Sequence, residues 1–98
     1  MIVQASLKVL PQSYKSREED FKLVDHALKL IQESNIKFQM GPSETTVEGE
    51  LKEVLKVIET IQIFYYDKGI KSFMFEIALQ YNDETYYIDD KLNNISKI

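Results

Sequence analysis

Cysteine is absent from this chain of 98 residues. The sequence therefore excludes a disulfide, a thiolate nucleophile and a cysteine-ligated metal site, which is typical of proteins from a reducing compartment. It also lacks long apolar runs, since no stretch approaches the roughly 20 apolar residues of a membrane-spanning helix. The first four residues, MIVQ, lack the basic and then apolar pattern of a signal peptide. We therefore expect a cytoplasmic protein that does not bind a membrane.

Basic clusters and catalytic groups are equally scarce. The formal net charge is −4, and the lysines form no stripe with interleaved aromatic residues, so we expect no nucleic-acid partner. His26 is the only histidine and falls between Lys22 and Lys29 on the predicted outer face of a helix. The serines have no evident base beside them, and there is no phosphate-binding loop. The sequence predicts no enzyme activity, no metal site and no cofactor.

The composition is that of a single small globular domain spanning residues 1–98. Hydrophobic residues make up 44% of the chain and charged residues 29%. A chain this short has a marginal core, so assembly with further copies would stabilise it. Hydrophobic periodicity predicts the element order β-α-β-β-α-β. The predicted strands are 2–10, 36–41, 44–49 and 70–81, and the predicted helices run from about 16 to 34 and from about 50 to 67.

Local signals set several boundaries. Pro11 should end the first strand, because proline has no N–H to donate to a sheet. The sequence SREE at the start of the first predicted helix has the spacing of a capping box. The tail is expected to hold a short edge strand at 85–88 and a brief helix that Asp89 caps and that carries Leu92 and Ile95.

Two strand–helix–strand halves joined by a hairpin predict a ferredoxin-like α+β sandwich. Each strand–helix–strand crossover should be right-handed. Both helices then cover one face of a four-stranded antiparallel sheet, and the chain ends in a short C-terminal extension. The other face of the sheet is expected to stay uncovered.

Strand alternation assigns a defined set of side chains to that uncovered face. The third strand is unusual, because the segment GPSETTVEGE (41–50) places glutamates and glycines where β-propensity disfavours them. Three interpretations remain open for this face: a solvated surface, an interface between subunits, and a ligand site at or beside such an interface. The residues assigned to it are Gln4, Ser6, Lys8, Lys37, Gln39, Gly41, Glu44, Thr46, Glu48, Met74, Glu76, Ala78 and Gln80.

The polar groups of this face indicate which kind of ligand it would suit. Ionised glutamates accept hydrogen bonds, whereas amides and hydroxyls both donate and accept them. Such a set fits a small cationic or amino-bearing heterocycle. It does not fit a phosphate, which favours arginine or a glycine-rich helix start. The acceptors are Glu44, Glu48 and Glu76, and the groups of mixed character are Gln4, Gln39, Ser6 and Thr46.

Three segments, ASLKVLP (5–11), GPSETTVEGE (41–50) and YYIDDKL (86–92), resemble the small thiamine-binding protein family of ferredoxin-like proteins. The resemblance implies a homotetramer assembled through sheet surfaces. It also implies binding of thiamine or of its hydroxymethylpyrimidine part, without known catalysis. The ligand-binding residues that it implies are Ser6, Glu44, Thr45, Thr46 and Glu48, to which strand alternation adds Gln4, Gln39 and Glu76.

On this hypothesis the aminopyrimidine would hydrogen-bond to a glutamine or a glutamate. A carboxylate, Glu44 or Glu48, would compensate the thiazolium charge in a partly dry pocket, where such contacts gain strength. The alternative is a structural or regulatory self-assembling module, or a regulatory domain that binds an amino acid, as related ferredoxin-like domains do.

Overall fold

The computed structural model describes residues 1–81 and 88–96, and it confirms the ferredoxin-like α+β fold. The predicted order β-α-β-β-α-β is followed by a third helix. Within the described part, no helix has the length and apolar character needed to cross a membrane. The elements are β1 (Ile2–Gln12), α1 (Arg17–Glu33), β2 (Lys37–Met40), β3 (Thr45–Glu50), α2 (Leu51–Asp67), β4 (Ser72–Tyr81) and α3 (Ile88–Ser96).

The four strands form one antiparallel sheet in the order β2-β3-β1-β4, with β1 and β3 as central neighbours, as predicted. Gln4 on β1 lies opposite Glu48 on β3 and opposite Gln80 on β4. Lys37 on β2 lies opposite Glu48 in turn. These four polar residues therefore form one row across the whole width of the sheet.

The hydrophobic core lies between the sheet and the helices α1 and α2. Alternation along the central strands places one set of apolar side chains against the helices, as the sequence predicts. The Tyr65 hydroxyl donates a hydrogen bond to the Leu23 carbonyl oxygen and so connects α2 to α1. Burial raises the pKa of Tyr65. The core residues are Val3, Ala5, Leu7, Leu23, Ala27, Ile31, Ile36, Val47, Val54, Val57, Ile61 and Tyr65.

The helix ends follow the signals in the sequence. Ser16 caps α1, because its hydroxyl accepts a hydrogen bond of 3.1 Å from the backbone N–H of Glu19. After α1, Asn35 adopts a left-handed conformation with φ of 60°. Gly69, which follows α2, has φ of 76°, a conformation that glycine adopts at little cost. These boundaries fix where β2 and β4 begin.

The prediction that Pro11 ends the first strand is wrong. β1 continues to Gln12, and Pro11 pairs with Phe73 on β4. Pairing of β1 with β3 stops at Leu7 opposite Thr45. Beyond Leu7 the strand therefore has a paired neighbour on one side only, and proline is tolerated on such an edge.

The apolar face of β4 is only partly covered by the helices. Phe73 packs against the core, whereas Ile77, Leu79 and Tyr81 are 42%, 49% and 57% exposed. β4 is an outer strand, and α1 and α2 pack mainly over β1 and β3. The end of β4 therefore extends beyond the helix layer.

The face opposite α1 and α2, expected to be uncovered, is covered at one end by α3. This helix begins at Ile88, whose side chain is buried, so Asp89 lies in its first turn and is not its cap. Of the predicted strand at 85–88, residues 85–87 lie outside the described residues and Ile88 is helical. Leu92 and Ile95 are carried by α3 as predicted, and both are exposed. We call this side of the sheet, with its central residues Gln4, Ser6, Thr46 and Glu48, the polar face.

Candidate ligand-binding groove

A groove with a volume of about 280 Å³ lies on the polar face, between the central strands and α3. Its position follows from the register of the sheet, because Ser6 on β1 is flanked by Thr46 on β3 and Ala78 on β4. The small Ala78 side chain leaves room above the sheet at this point. The groove is lined by Gln4, Ser6, Glu44, Thr46, Ala78, Leu79, Gln80 and Lys91.

The Ser6 hydroxyl is the most informative group in the groove. Its oxygen is buried and has no hydrogen-bond partner among the described residues. A buried polar group without a partner costs about 1–3 kcal/mol, so folded proteins seldom leave one unexplained. A bound molecule with a donor or an acceptor at this point would remove that cost.

Glu48 is engaged in holding α3 on the sheet. One oxygen of its carboxylate accepts a hydrogen bond of 2.7 Å from the backbone N–H of Ile88, the first residue of the helix. The same oxygen accepts a bond of 3.3 Å from the side-chain amide of Gln4. A carboxylate at a helix N-terminus satisfies an otherwise unpaired N–H and interacts favourably with the helix dipole. Glu48 therefore positions α3 and does not line the groove.

Two lysines complete the attachment of α3. The Lys91 ammonium donates to the side-chain oxygen of Gln4 at 2.5 Å and to that of Gln80 at 3.0 Å. At the β2 end of the row of polar residues, Lys37 forms an ion pair with Asp89 at 2.5 Å. The hydrogen bond to Asp89 raises the pKa of Lys37. The row of polar residues across the sheet therefore serves as the seat of the helix, and Lys91 reaches into the groove.

The structure brings four of the eight predicted site residues into the groove: Gln4, Ser6, Glu44 and Thr46. Gln4 is only 7% exposed, because α3 covers it. Glu44 precedes β3 at the opposite end of the groove from Lys91. Glu44 also borders a second, smaller cavity of about 130 Å³ on the helix side of the sheet.

The other four predicted site residues lie elsewhere. Thr45 is buried on the helix side and lines the smaller cavity, because adjacent residues of a strand point to opposite faces. Gln39 is exposed on the outer strand β2, and its amide donates to the Met40 carbonyl oxygen at 3.3 Å. Glu76 is exposed on β4, outside the groove, and Glu48 seats α3.

Sequence reasoning did not include Lys91, Gln80 and Ala78 among the site residues. Strand alternation had placed Gln80 and Ala78 on the correct face, so the missing information was the register that sets them beside Gln4 and Ser6. Lys91 belongs to the segment YYIDDKL, which is one of the three that carry the family resemblance. That segment was the available signal, although it does not say where the helix docks.

The groove combines opposite charges with neutral hydrogen-bonding groups. Lys91 supplies a cation at the α3 end and Glu44 a carboxylate at the other, with the Ser6 and Thr46 hydroxyls between them. Over residues 1–81 and 88–96 there is no cluster of histidine, aspartate or glutamate that could hold a metal ion. The arrangement suits a small polar molecule that exchanges hydrogen bonds with side chains.

Solved structures show the same fold at low sequence identity. A Thermotoga maritima protein described as a candidate thiamine biosynthesis/salvage protein is 26% identical, with a TM-score of 0.82, over 97% of this chain and 99% of that one. A domain of unknown function from Bacillus cereus is 30% identical, with a TM-score of 0.81, over 94% of this chain and 88% of that one.

Sequence comparison identifies the family of the chain. A UPF0045 protein of Clostridium perfringens is 28% identical over 87 residues, which are 89% of this chain and 90% of the relative. The family model described as thiamine-binding protein matches residues 5–96, nearly the whole chain. This chain therefore belongs to the thiamine-binding protein family.

Proposed function

We propose that this protein is a non-enzymatic binder of thiamine or of its hydroxymethylpyrimidine part, and that the ligand occupies the groove on the polar face. The observation that carries the proposal is the buried Ser6 hydroxyl, which has no hydrogen-bond partner in the described structure and lies in the groove of a thiamine-binding family member. The description of the Thermotoga maritima protein, which names thiamine biosynthesis or salvage, supports the same ligand class.

The groups of the groove match the hydrogen-bonding pattern of an aminopyrimidine. Its amino group would donate to the Thr46 or Ser6 oxygen, and a ring nitrogen would accept from the Ser6 hydroxyl. Glu44 is the carboxylate available to compensate a thiazolium charge, since the Glu48 carboxylate already binds the N-terminus of α3. In a partly dry groove these contacts are stronger than in water.

A binding role without catalysis agrees with the family description, which names a binding protein. The groove holds one carboxylate and one ammonium, at opposite ends, and in the described structure the Ser6 hydroxyl between them is hydrogen-bonded to neither. Catalysis by an acid–base or nucleophilic route would need such a pair within hydrogen-bond reach.

The proposal includes self-assembly through the polar face. The part of this face beyond the groove carries Leu10 and Met74, which pair across β1 and β4 and are 38% and 58% exposed. A second copy stacked on this face would cover both residues and would close the groove from above. We expect a homotetramer assembled in this way, in the cytoplasm.

Titration calorimetry with thiamine and with hydroxymethylpyrimidine tests the ligand directly. Both should bind, and replacing Thr46 by Val should weaken binding about tenfold, because the substitution removes a hydroxyl while keeping the shape of the side chain. The matched control is Thr60→Val on α2, where the hydroxyl bonds to the Lys56 carbonyl oxygen at 2.8 Å, on the other side of the sheet. Absence of heat at millimolar concentrations of both ligands would reject the proposal.

A further inference from the structure

We propose that Lys91 is a specificity-determining residue, which makes the groove select an aminopyrimidine that carries a phosphate ester over thiamine itself. This inference rests on the proposed function and names the ligand more narrowly. Three observations support it: the balance of charge in the groove, the hydrogen bonds that Lys91 makes, and the volume of the groove.

The charge balance is set by which groups remain available to a ligand. Glu48 is engaged with the backbone of α3, so Glu44 is the remaining carboxylate at the groove. Lys91 contacts Gln4, whereas Glu44 lies one position beyond the pair formed by Leu7 and Thr45. Lys91 and Glu44 are therefore separated by four residues along the strand direction, a distance of about 13 Å. The groove is therefore bipolar, and its α3 end is positive.

The Lys91 ammonium has bonding capacity left for a ligand. It carries three donors, and the side-chain oxygens of Gln4 and Gln80 use two of them. In the described part of the chain, the ion pairs of lysines with carboxylates involve Lys22, Lys37 and Lys56, and none involves Lys91. A phosphate oxygen at the end of the groove would accept the third proton in a charge-assisted hydrogen bond.

The volume favours one ring over two. Pockets for drug-sized ligands occupy about 300–1,000 Å³, and this groove has about 280 Å³. A pyrimidine with a phosphate ester fits along the line from Thr46 to Lys91. Thiamine would place its second ring, which carries a positive charge, at the Glu44 end of the groove, and no part of it would pair with the Lys91 ammonium. The phosphate ester should therefore bind more tightly than thiamine.

This inference revises the expectation that the polar face does not fit a phosphate. That expectation followed from the absence of an arginine and of a glycine-rich helix start on the four strands. α3 supplies the missing cation, because it folds back across the strands and brings Lys91 beside Gln4. A lysine binds phosphate as a point charge, without the fixed fork of arginine.

The test is titration calorimetry with hydroxymethylpyrimidine, its monophosphate and thiamine. The monophosphate should bind about tenfold more tightly than the alcohol, and also more tightly than thiamine. Lys91→Gln should remove the advantage of the monophosphate over the alcohol, because it removes the charge that pairs with the phosphate. Lys91→Arg should keep the preference. Lys15→Gln, in a loop outside the groove, is the charge-matched control.

The outcomes separate this inference from the proposed function. If the protein binds none of the three ligands, the proposed function is rejected. If it binds all three with equal affinity, or if Lys91→Gln keeps the full preference for the monophosphate, the inference is overturned and the proposed function stands. High ionic strength should also reduce the preference, since the contact is electrostatic; a preference that salt leaves unchanged contradicts the role of Lys91.

Discussion

The two faces of the sheet are built on different principles. On the helix side, Val3, Ala5, Leu7 and Val47 are buried under two helices in a continuous apolar layer. On the polar face, a single short helix is attached through hydrogen bonds, one ion pair and the buried Ile88 side chain, and its apolar residues Leu92 and Ile95 remain exposed. The first face gains stability from buried area, which does not depend on direction. The second depends on a few directional contacts, which can be exchanged for contacts with a ligand.

This difference assigns stability and function to separate sides of the same strands. Along β1, Val3, Ala5 and Leu7 belong to the core, whereas Gln4 and Ser6, at alternate positions, line the groove. A substitution at one residue should therefore affect folding or binding according to its parity. Four substitutions test that separation, in order of decreasing expected effect.

The largest effect is expected on the helix side. Replacing Ile61, which is 0% exposed on α2, by Ala should lower the free energy of unfolding by about 2–5 kcal/mol, because the change leaves a cavity in the core. Urea denaturation followed by circular dichroism measures the change. Ile63 on the same helix is 50% exposed, so Ile63→Ala is the matched control and should cost much less. Equal losses in both variants would contradict the assignment of the core.

The hydrogen bond between α2 and α1 should contribute less to the free energy of unfolding. Tyr65→Phe removes the hydroxyl that donates to the Leu23 carbonyl oxygen, and it should cost about 1–2 kcal/mol. Burial raises the pKa of Tyr65, so the folded state favours the neutral phenol. This contribution is fully present below pH of about 10, where the phenol of the unfolded chain is neutral, and it is lost as the pH rises above that value.

A pH series of denaturation curves checks the sign of this effect. The wild-type protein should lose stability above pH of about 10, and Tyr65→Phe should lose less over the same range. Tyr66→Phe is the control, because Tyr66 is exposed on the same helix. A wild-type protein that gains stability in that range would contradict the burial argument.

On the polar face, loss of the Glu48 charge should release α3 without unfolding the sheet. Glu48→Gln should cost about 1 kcal/mol in the attachment of the helix, because it weakens the bond to the Ile88 N–H and the interaction with the helix dipole. Amide hydrogen exchange should become faster in α3 and stay unchanged in β1. Glu59→Gln on the exposed surface of α2 is the control, and protection of α3 equal in both variants would refute the capping role of Glu48.

The smallest effect is expected at the ion pair of Lys37 and Asp89. Both side chains are largely exposed, so Asp89→Asn should change the stability of the α3 attachment by less than about 1 kcal/mol. The same hydrogen-exchange experiment detects it, with a small acceleration that disappears at high salt. A larger effect than that of Glu48→Gln would show that the ion pair, and not the helix cap, holds α3.

Much of the fold could be predicted from the sequence because its signals are local. The alternation of β1, the helical spacing of α1 and α2, and the cap at Ser16 all concern residues within a few positions of one another. The predictions that failed depend on what lies beside an element. Pro11 remains in β1, against the prediction, because that end of the strand has one neighbour. The exposure of β4, on which the sequence made no prediction, has a similar cause, because the helices pack over other strands.

The candidate groove, like the fold, could be predicted only in part from the sequence. Strand alternation and the family resemblance brought Gln4, Ser6, Glu44 and Thr46 together on one face, since the faces of a strand are fixed by its period of two. Alternation alone would also have shown that Thr45 points to the other side. Nothing in the periodicity of α3 could show that its N-terminus meets Glu48, or that Lys91 meets Gln4, because these contacts join residues about 40 and about 87 positions apart.

By itself, the sequence determined which side chains face the helices and which face away, because backbone geometry converts spacing along the chain into sidedness. Only the tertiary structure decided the charge of the groove. When α3 docks on the sheet, its N-terminus binds the Glu48 carboxylate, and its Lys91 ammonium enters the groove. Both effects depend on contacts between distant parts of the chain.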